Sequence, residues 1–340
     1  MLCRSYFVCE KSDGIRYLLY LTEDENGGEV HYLIDRKNDY WFINAGNLHF
    51  PTPTSEQDFH KATLLDGELV LDDLGGGRTE PRYLVFDCLV MDGQVLMSRE
   101  LSKRLGYFQE QIFRPYKELL RKYPEERNFQ PFFVEMKNMQ VAYGIQMMFE
   151  DVIKKLRHGN DGLIFTCLRS EYKAGTDPHI LKWKEADENT IDFMWKLRWP
   201  TVEPDEHERA AAAAAGESPP EPYTDYDAMP HVDLLANHGG GSGPDSGYQH
   251  YATLHLEEHE WEVLRSLGDP LDERVVEVYM DEHKRWRLSR FRDDKSDGNH
   301  ISVVNSVIES IRDGVTKEDL LNAAKGIRDN WKAREQARKR

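Results

Sequence analysis

Three of the six Asp-Gly pairs in this chain, each beside a short apolar run, constrain most strongly what it can fold into. They stand at positions 13–14, 66–67 and 161–162. Short aliphatic and aromatic runs next to Asp-Gly predict strands that are entered or joined by tight turns. The predicted strands are 6–9, 17–21, 29–35, 41–50 with a turn at 44–47, 64–72, 82–90, 131–137, 161–166, 179–184, 274–280 and 285–292. Apolar residues at helical spacing predict helices at 99–123, 143–156, 300–312 and 316–334.

Length, charge and cysteine usage narrow the class of protein. The 340 residues predict about two domains with a sizeable core. The net charge is −17, of which residues 201–260, with 13 acids and one arginine, carry −12 and the rest −5. This argues against a protein that coats nucleic acid along its length, but it leaves room for a polyphosphate site elsewhere.

The four cysteines have no metal-ligand spacing and none lies in an HCxxGxxR-type phosphatase loop, which indicates reduced intracellular thiols. No long apolar run and no signal peptide is visible, so a soluble, non-secreted protein is expected.

Residues 201–247 differ in composition from the rest of the chain. They contain six consecutive alanines at 210–215, a Pro- and acid-rich stretch and a Gly-Ser-rich stretch at 239–243. This composition predicts a flexible insertion, in which the alanine run is too short to be a stable helix alone. By contrast, the glycines at 75–77 predict a hairpin loop, because no phosphate-binding GxxxxGK[ST] pattern surrounds them.

The segment Lys11-Ser12-Asp13-Gly14-Ile15-Arg16 is a candidate catalytic segment. A lysine beside a turn is usually a solvated side chain, but it can act as a nucleophile if its amine is neutral. At an ordinary pKa of about 10.4, only about one lysine in 2,500 is neutral at pH 7, so full activation requires roughly 4 to 5 kcal/mol. Burial and nearby cations supply such stabilisation. A catalytic Lys11 should therefore have basic residues from distant parts of the chain around it.

Several other side chains have both a structural and a functional interpretation. Glu68 lies in an apolar strand, where it is either an edge-strand acid or part of a site rich in cations or hydroxyls. Lys182 and Lys184 share one strand face, so they either face solvent or supply the cations that Lys11 requires. Phe86 either packs in the core or points into a pocket. Residues 286–295 alternate basic and apolar side chains, which gives a cationic face suited to phosphate oxygens.

Taken in order, these segments resemble the motifs of the covalent nucleotidyltransferases, and within them the mRNA capping guanylyltransferases. The matching segments are KSDGIR at 11–16, which fits the KxDGxR nucleophile motif, DGELV at 66–70, RYLVFD at 82–87, DGLIF at 161–165, LKWK at 181–184 and WRLSRFRDDK at 286–295. The last two favour capping enzymes over DNA or RNA ligases. The resemblance covers about residues 6–195 and 248–312.

The resemblance implies an α+β fold and a two-step reaction. A nucleotidyltransferase domain of ATP-grasp-like antiparallel sheets with helices is expected at 1–195, and an OB-fold lid at 196–312 containing the flexible acidic insertion. A C-terminal helix and basic tail is expected at 313–340. In the reaction, a lysine attacks the α-phosphate of GTP, pyrophosphate leaves, and the 5′-diphosphate end of RNA takes GMP from the lysine to give a GpppN cap.

The same resemblance implies roles for individual residues around the nucleotide. Lys11 is the expected nucleophile, which carries the lysine–GMP phosphoamide. Arg16 and Glu68 are expected to hold the ribose hydroxyls, and Phe86 to stack on guanine. The groups expected beside the phosphates and the base are Asp161 with Lys137, and Lys182 with Lys184.

Four residues from the later part of the chain complete the implied site. Asp192 is expected to reach a Mg²⁺ or Mn²⁺ ion through water. Arg292 and Lys295 are expected to reach the leaving pyrophosphate, with Asp294 orienting them. Such cations would stabilise the charge that develops in phosphoryl transfer, and placing them on a lid implies closure for the first step and opening for RNA entry.

Two alternatives remain open from the sequence. One is a polynucleotide ligase. The other is a catalytically inactive binding module, because only ten residues precede Lys11 where the family usually has some tens that help to bind the base. The family's partners would be an RNA 5′-triphosphatase on a separate chain (a beta subunit, the fungal-type arrangement) and the phosphorylated tail of RNA polymerase II. The implied location is the nucleus, and no membrane partner is expected.

Overall fold

The computed structural model describes residues 5–43, 48–185, 188–240 and 247–339. The chain divides into two compact units, one formed by residues 1–184 with 315–340 and the other by residues 185–314. The second unit is therefore inserted into the chain of the first. This differs from the expected domains, because the boundary at 195 falls inside a strand of the second unit, and the C-terminal segment belongs to the first unit.

The first unit contains thirteen strands in the described residues. They are β1 (Tyr6–Ser12), β2 (Ile15–Glu23), β3 (Glu29–Ile34), β4 (Tyr40–Ile43), β5 (Pro51–Thr52), β6 (Ser55–Phe59), β7 (Thr63–Gly75), β8 (Arg78–Met91), β9 (Gln94–Val95), β10 (Phe133–Met136), β11 (Gln140–Val141), β12 (Asn160–Cys167) and β13 (Leu181–Trp183). The predicted strand at 41–50 is only partly confirmed, and its turn at 44–47 lies outside the described residues.

Most of these strands form two sheets. One sheet has the order β11-β1-β12-β13, and the other the order β10-β8-β7-β2-β3-β4 with β9 paired to β8. Within both sheets every pair is antiparallel except β10 with β8. The glycines at 75–77 form the predicted hairpin loop between β7 and β8.

The Asp-Gly pairs do not form the predicted turns. β1 and β2 flank Asp13-Gly14 but lie in different sheets, and the other two pairs lie within β7 and β12. A Cβ atom on Gly14 would lie 2.6 Å from the carbonyl oxygen of Leu69, and one on Gly67 would lie 2.5 Å from the ring of Tyr83. Glycine is required at both positions because neighbouring groups approach the backbone closely. The turn prediction is wrong because it considered only the residues next to each pair.

Helices cover the sheets of the first unit. The predicted helix at 99–123 is a continuous helical segment made of Leu101–Tyr107, a π-helical stretch Phe108–Phe113, and Arg114–Lys122. It packs four side chains spaced four residues apart, Phe108, Ile112, Tyr116 and Leu120, into the core of the seven-stranded sheet. The other helical segments are Pro124–Phe129, the short turns Ala142–Gly144, Ile145–Met147, Met148–Val152 and Ile153–Lys155, and the C-terminal helix Lys317–Lys339.

The C-terminal helix packs against the four-stranded sheet. Leu320, Leu321 and Ile327 contact the core that contains residues of β1 and β12. Just before this helix, the carbonyl oxygen of Val315 accepts a hydrogen bond of 2.6 Å from the indole nitrogen of Trp183. The points at which the chain leaves and re-enters the first unit are therefore adjacent.

The second unit is a closed five-stranded barrel with helices. Its elements are β14 (Thr190–Arg198), β15 (Thr201–Val202), helix Glu206–Ala215, β16 (Tyr223–Thr224), β17 (His231–Asn237), β18 (Tyr248–Leu254), helix Glu258–Ser266, β19 (Val275–Met280), β20 (Trp286–Phe291) and helix Ile301–Arg312. The barrel order is β14-β17-β18-β20-β19, which confirms the expected OB-type barrel. The side chains of β14 alternate in the core as Ile191, Phe193 and Trp195.

The predicted flexible insertion at 201–247 is wrong in its extent. Residues 231–237 form β17, a barrel strand that pairs with β14 and β18 and whose alternate residues Val232, Leu234 and Ala236 are buried. The alanine run forms a helix that begins at a capping box, in which the Asp205 carboxylate accepts a 2.7 Å hydrogen bond from the Glu208 amide. This helix has no buried residues, so the capping box, rather than packing against the barrel, stabilises its first turn.

None of the helices that the structure describes combines the length and the apolar character needed to cross a bilayer. Cys9, Cys88 and Cys167 are buried free thiols, while Cys3 lies outside the described residues.

Candidate active site

Lys11 lies at the end of β1, beside the start of β12. Its Nζ atom donates to the two carboxylate oxygens of Asp161, at 2.6 and 2.8 Å, and the ammonium of Lys184 lies 2.5 Å from the same carboxylate. About a quarter of each of the three side chains is exposed. Burial tends to raise the pKa of Asp161, but the hydrogen bonds from Lys11 and Lys184 outweigh it and hold the pKa below its usual value. The structure thus brings a second cation and a shared carboxylate to Lys11.

A buried network lies directly behind Lys11. Lys137 is 3% exposed, and its Nζ atom donates to the hydroxyl of Ser12 and lies 3.5 Å from Glu68 and 3.6 Å from Glu10. The Ser12 hydroxyl in turn donates to Glu68. Because a hydroxyl and a cation compensate its burial, Glu68 belongs to a polar site, which was one of its two interpretations.

Arg16, on β2, has a separate set of partners from those of Lys11 and Lys137. Its guanidinium pairs with Asp66 through two hydrogen bonds of 2.9 and 2.6 Å, and the hydroxyl of Tyr172 donates to the same carboxylate at 2.8 Å. It also lies 5.6 Å from the centre of the half-buried Phe86 ring. Arg16 and Glu68 are opposite each other in the β2–β7 pairing, yet in this structure their side chains have different partners. The two expected ribose-binding residues and the aromatic are therefore neighbours on one sheet.

A buried ion pair supports the strand that carries Phe86. Asp87 is the next residue of β8, and Arg104 donates to its two oxygens at 2.7 and 2.8 Å. The guanidinium also lies 6.0 Å from the ring of Tyr172. Burial raises the pKa of Asp87, and the hydrogen bonds from Arg104 oppose this effect. The pair links β8, the helix at 101–107 and the segment that follows β12.

Four of the expected residues form a cluster in the second unit. Arg292 donates to Asp192 at 3.0 Å, Lys295 donates to the other oxygen of Asp192, and Arg292 pairs with Asp294 through two hydrogen bonds of 2.8 Å. The Arg292 guanidinium holds the pKa of Asp294 well below its usual range. Asp294 thus contacts Arg292, and its expected role of orienting Arg292 and Lys295 stays a prediction.

This cluster does not fit a metal site. Two cations neutralise the Asp192 carboxylate, which removes the negative charge that would attract a divalent cation. Nor do the described residues contain a group of three or more His, Cys, Asp or Glu side chains arranged to hold a metal ion. The arrangement therefore gives no support to the expected role of Asp192 as an acid that reaches a metal ion through water.

Two predicted pairings differ from the observed contacts. Lys182 is exposed, while Lys184 binds Asp161, because β13 ends at Trp183 and Lys184 lies beyond the regular alternation. Lys137 does not bind Asp161; the two are linked only through their contacts with the adjacent residues 12 and 11.

Sequence reasoning missed several residues of the site. These are Glu10, Ser12, Asp66 and Tyr172. Ser12 and Asp66 lie inside motifs that were recognised, so their position was an available signal. Tyr172 lies in an irregular segment after β12, where no local pattern marks it.

Comparison with known proteins agrees with this geometry. Residues 1–186 match the family model described as mRNA capping enzyme, catalytic domain, and residues 188–321 match mRNA capping enzyme, C-terminal domain. A protein from Neurospora crassa named mRNA-capping enzyme subunit alpha is 53% identical over 338 residues, which cover 98% of this chain and 83% of that protein.

Other relatives with the same name are similar over nearly the whole chain. The protein from Schizosaccharomyces pombe is 46% identical, with 96% of this chain and 77% of that protein covered. The protein from Yarrowia lipolytica is 44% identical, with coverages of 97% and 79%. Both family models and these relatives confirm the resemblance found in the sequence. The chain therefore belongs to the mRNA capping enzyme family.

Proposed function

We propose that this chain, an mRNA guanylyltransferase by its family, transfers GMP from GTP to the 5′-diphosphate end of RNA through a phosphoamide on Lys11. The observation that carries this proposal is that Lys11 and Lys184 both contact the carboxylate of Asp161. Lys11 is the first residue of the KxDGxR motif and lies near the end of β1. A lysine nucleophile needs a proton acceptor and a neighbouring cation, and both are present within hydrogen-bonding distance.

In the first step the Lys11 amine attacks the α-phosphorus of GTP. A nitrogen–phosphorus bond forms, the bond from the α-phosphorus to the bridging oxygen breaks, and pyrophosphate leaves. The Asp161 carboxylate is positioned to accept the proton that Lys11 loses, because it already accepts hydrogen bonds from this group. Lys184 then remains as the cation beside the phosphoryl oxygens, and Arg292 with Lys295 are the proposed partners of pyrophosphate.

The remaining residues bind the nucleoside. Phe86 is proposed to stack on guanine, and Arg16 and Glu68 to hydrogen-bond the ribose, which requires them to exchange some of the contacts described above. Lys137 keeps the Ser12–Glu68 pair in place and acts beside the α-phosphate together with Asp161. Lys182, being exposed, is free to reach a phosphate or the base.

In the second step the terminal phosphate of RNA attacks the phosphorus on Lys11. An oxygen–phosphorus bond forms, the nitrogen–phosphorus bond breaks, and the Lys11 amine is regenerated as the GpppN cap leaves. A Mg²⁺ or Mn²⁺ ion is included as a proposed cofactor, because phosphoryl transfer generally uses a divalent ion to balance charge.

The name of the relatives supports a proposal about partners. They are alpha subunits, so we propose a beta subunit with RNA 5′-triphosphatase activity that supplies the diphosphate end. The phosphorylated tail of RNA polymerase II and a nuclear location are proposed from the resemblance.

The test is covalent labelling. Purified protein incubated with labelled GTP and Mg²⁺ or Mn²⁺ should acquire an acid-labile GMP adduct, and Lys11→Ala should abolish it. Lys155→Ala, which changes an exposed lysine whose ion-pair partner is Asp151, should leave the adduct unchanged. Labelling from ATP instead would favour a polynucleotide ligase, and GTP binding without an adduct would favour an inactive binding module.

A further inference from the structure

A short segment before β12 joins the two sheets of the first unit behind Lys11. The carbonyl oxygen of Arg157 accepts a 2.7 Å hydrogen bond from the amide of Asp73, at β7. The carbonyl oxygen of Gly159 accepts a 2.9 Å hydrogen bond from the amide of Asp13, just after β1. The residue between these two anchors is His158.

The His158 ring lies between carboxylates from both sheets. Its Nδ1 atom is 2.8 Å from Asp72 on β7, and its Nε2 atom is 3.9 Å from Glu10 on β1, an ion-pair distance rather than a hydrogen bond. The side chain is 7% exposed. His158 is thus a buried group that connects the strand of Lys11 with the strand of Glu68.

Glu10 is the least compensated charge in this region. It is 2% exposed, and its Oε2 atom has no hydrogen-bond partner in the part of the chain that the structure describes. Its charged neighbours are His158 at 3.9 Å and Lys137 at 3.6 Å. Lys137 is also the cation that holds Ser12 and Glu68. If His158 carried no charge, Glu10 would compete with these two residues for Lys137.

We propose that His158 is a positioning residue for guanylyl transfer, which by its positive charge balances Glu10 and so keeps Lys137 directed at Ser12 and Glu68. This inference rests on the proposed function, because the groups it positions are those assigned to nucleotide binding. His158 itself does not touch the reacting atoms.

The charge state of His158 is consistent with this role. The Glu10 carboxylate raises the pKa of His158, burial opposes the change, and Asp72 adds to the increase. The charged groups that face the ring are Glu10 from β1 and Asp72 from β7, with Lys137 behind the first and Arg82 behind the second. Since the folded-state pKa is raised, the protonated ring is present below it, and the positioning effect should be lost as the pH rises through it.

A double-mutant cycle tests the proposal. Adduct formation is measured in single turnover at saturating GTP for wild type, His158→Gln, Glu10→Gln and the double variant. We expect His158→Gln to slow adduct formation about tenfold, because neutral glutamine leaves Glu10 unbalanced. Removing the Glu10 charge as well should restore the rate to within about threefold of Glu10→Gln alone. His283→Gln, an exposed histidine in the second unit, is the matched control.

A pH profile separates positioning from a merely structural role. As the pH rises above about 6.5, the ordinary pKa of histidine, and through the raised pKa of His158, the wild-type rate should decline relative to that of the double variant, which has no ring to titrate. If His158→Gln folds poorly, the double variant and this profile still decide the question. A double variant that is as slow as His158→Gln, or a ratio that does not change with pH, would overturn the inference. Absence of any wild-type adduct would instead overturn the proposed function.

Discussion

Gly14→Ala is the change whose consequence the structure defines most sharply. The new Cβ atom would lie 2.6 Å from the Leu69 carbonyl oxygen and 2.9 Å from Cγ of Glu68, both on β7. An ordinary contact begins at 3.4 Å, so the backbone at Gly14 and β7 must separate by about 0.8 Å, the difference between 3.4 and 2.6 Å. β7 is paired on both sides, with β2 and β8, and cannot yield without disturbing those ladders.

The expected cost follows from these distances. Overpacking of this kind costs about 1–3 kcal/mol, and the lower unfolded-state entropy of alanine offsets about 0.4–1 kcal/mol. The net cost is at most about 2.6 kcal/mol, so the melting temperature should fall by up to about 10 °C. Because β7 carries Glu68, a displacement of nearly 1 Å should also slow adduct formation, by up to about 100-fold.

Thermal unfolding and single-turnover labelling measure the two effects. Gly106→Ala is the matched control: this glycine lies in the helix at 101–107, and apart from its chain neighbours and the helix's own backbone no atom lies within 4 Å of the position that its new Cβ would take. Alanine should therefore stabilise the helix by about 1 kcal/mol. If Gly14→Ala melted and reacted like wild type, the close-approach reasoning would be refuted. Equal destabilisation by both substitutions would show that the loss of any glycine, rather than this contact, is responsible.

Further predictions concern charged groups in the first unit. Arg104→Met should lower the free energy of unfolding by about 3–5 kcal/mol, because it leaves the Asp87 carboxylate buried without its partner; denaturant unfolding should show the loss, and Asp87→Asn in the same chain should recover part of it. Glu29 is held by His31 and His49, whose hydrogen bonds outweigh burial and lower its pKa to about 2. Since this folded-state pKa is depressed, its stabilisation should be present above about pH 4.5 and be lost as the pH falls toward 2, so Glu29→Gln should flatten the acid limb of a melting-temperature profile. An unchanged acid limb would contradict that assignment.

The sequence alone predicted the elements that depend on local pattern. The helical segment at 101–122 follows from the spacing of Phe108, Ile112, Tyr116 and Leu120, and most strands follow from apolar runs. The partners of these strands could not be predicted in the same way. β1 pairs with residues near position 165 and β2 with residues near position 66, so the Asp13-Gly14 pair joins two sheets instead of closing a hairpin.

In the candidate site, too, the sequence indicated which side chains need partners but did not identify the partners. The cost of burying Glu68 correctly indicated cationic or hydroxyl partners, but only the fold identifies them as Ser12 and Lys137. Strand alternation predicted Lys182 and Lys184 on one face. In the structure β13 ends at Trp183, so Lys182 is exposed while Lys184 contacts Asp161. β17 was missed because the low-complexity residues around it dominated the composition, although its own alternation of Val232, Leu234 and Ala236 was readable.

The hydrogen bond between Trp183 and Val315 has a consequence for how the protein is made. The ribosome must complete the whole barrel before the helix that seals the four-stranded sheet emerges, a delay on the order of ten seconds at typical translation rates. During that interval the apolar surface of the four-stranded sheet that Leu320, Leu321 and Ile327 cover would be exposed to solvent. Conversely, because residues 184 and 315 are neighbours in space, a gene in which a few codons replace 185–314 would encode the first unit as one uninterrupted polypeptide.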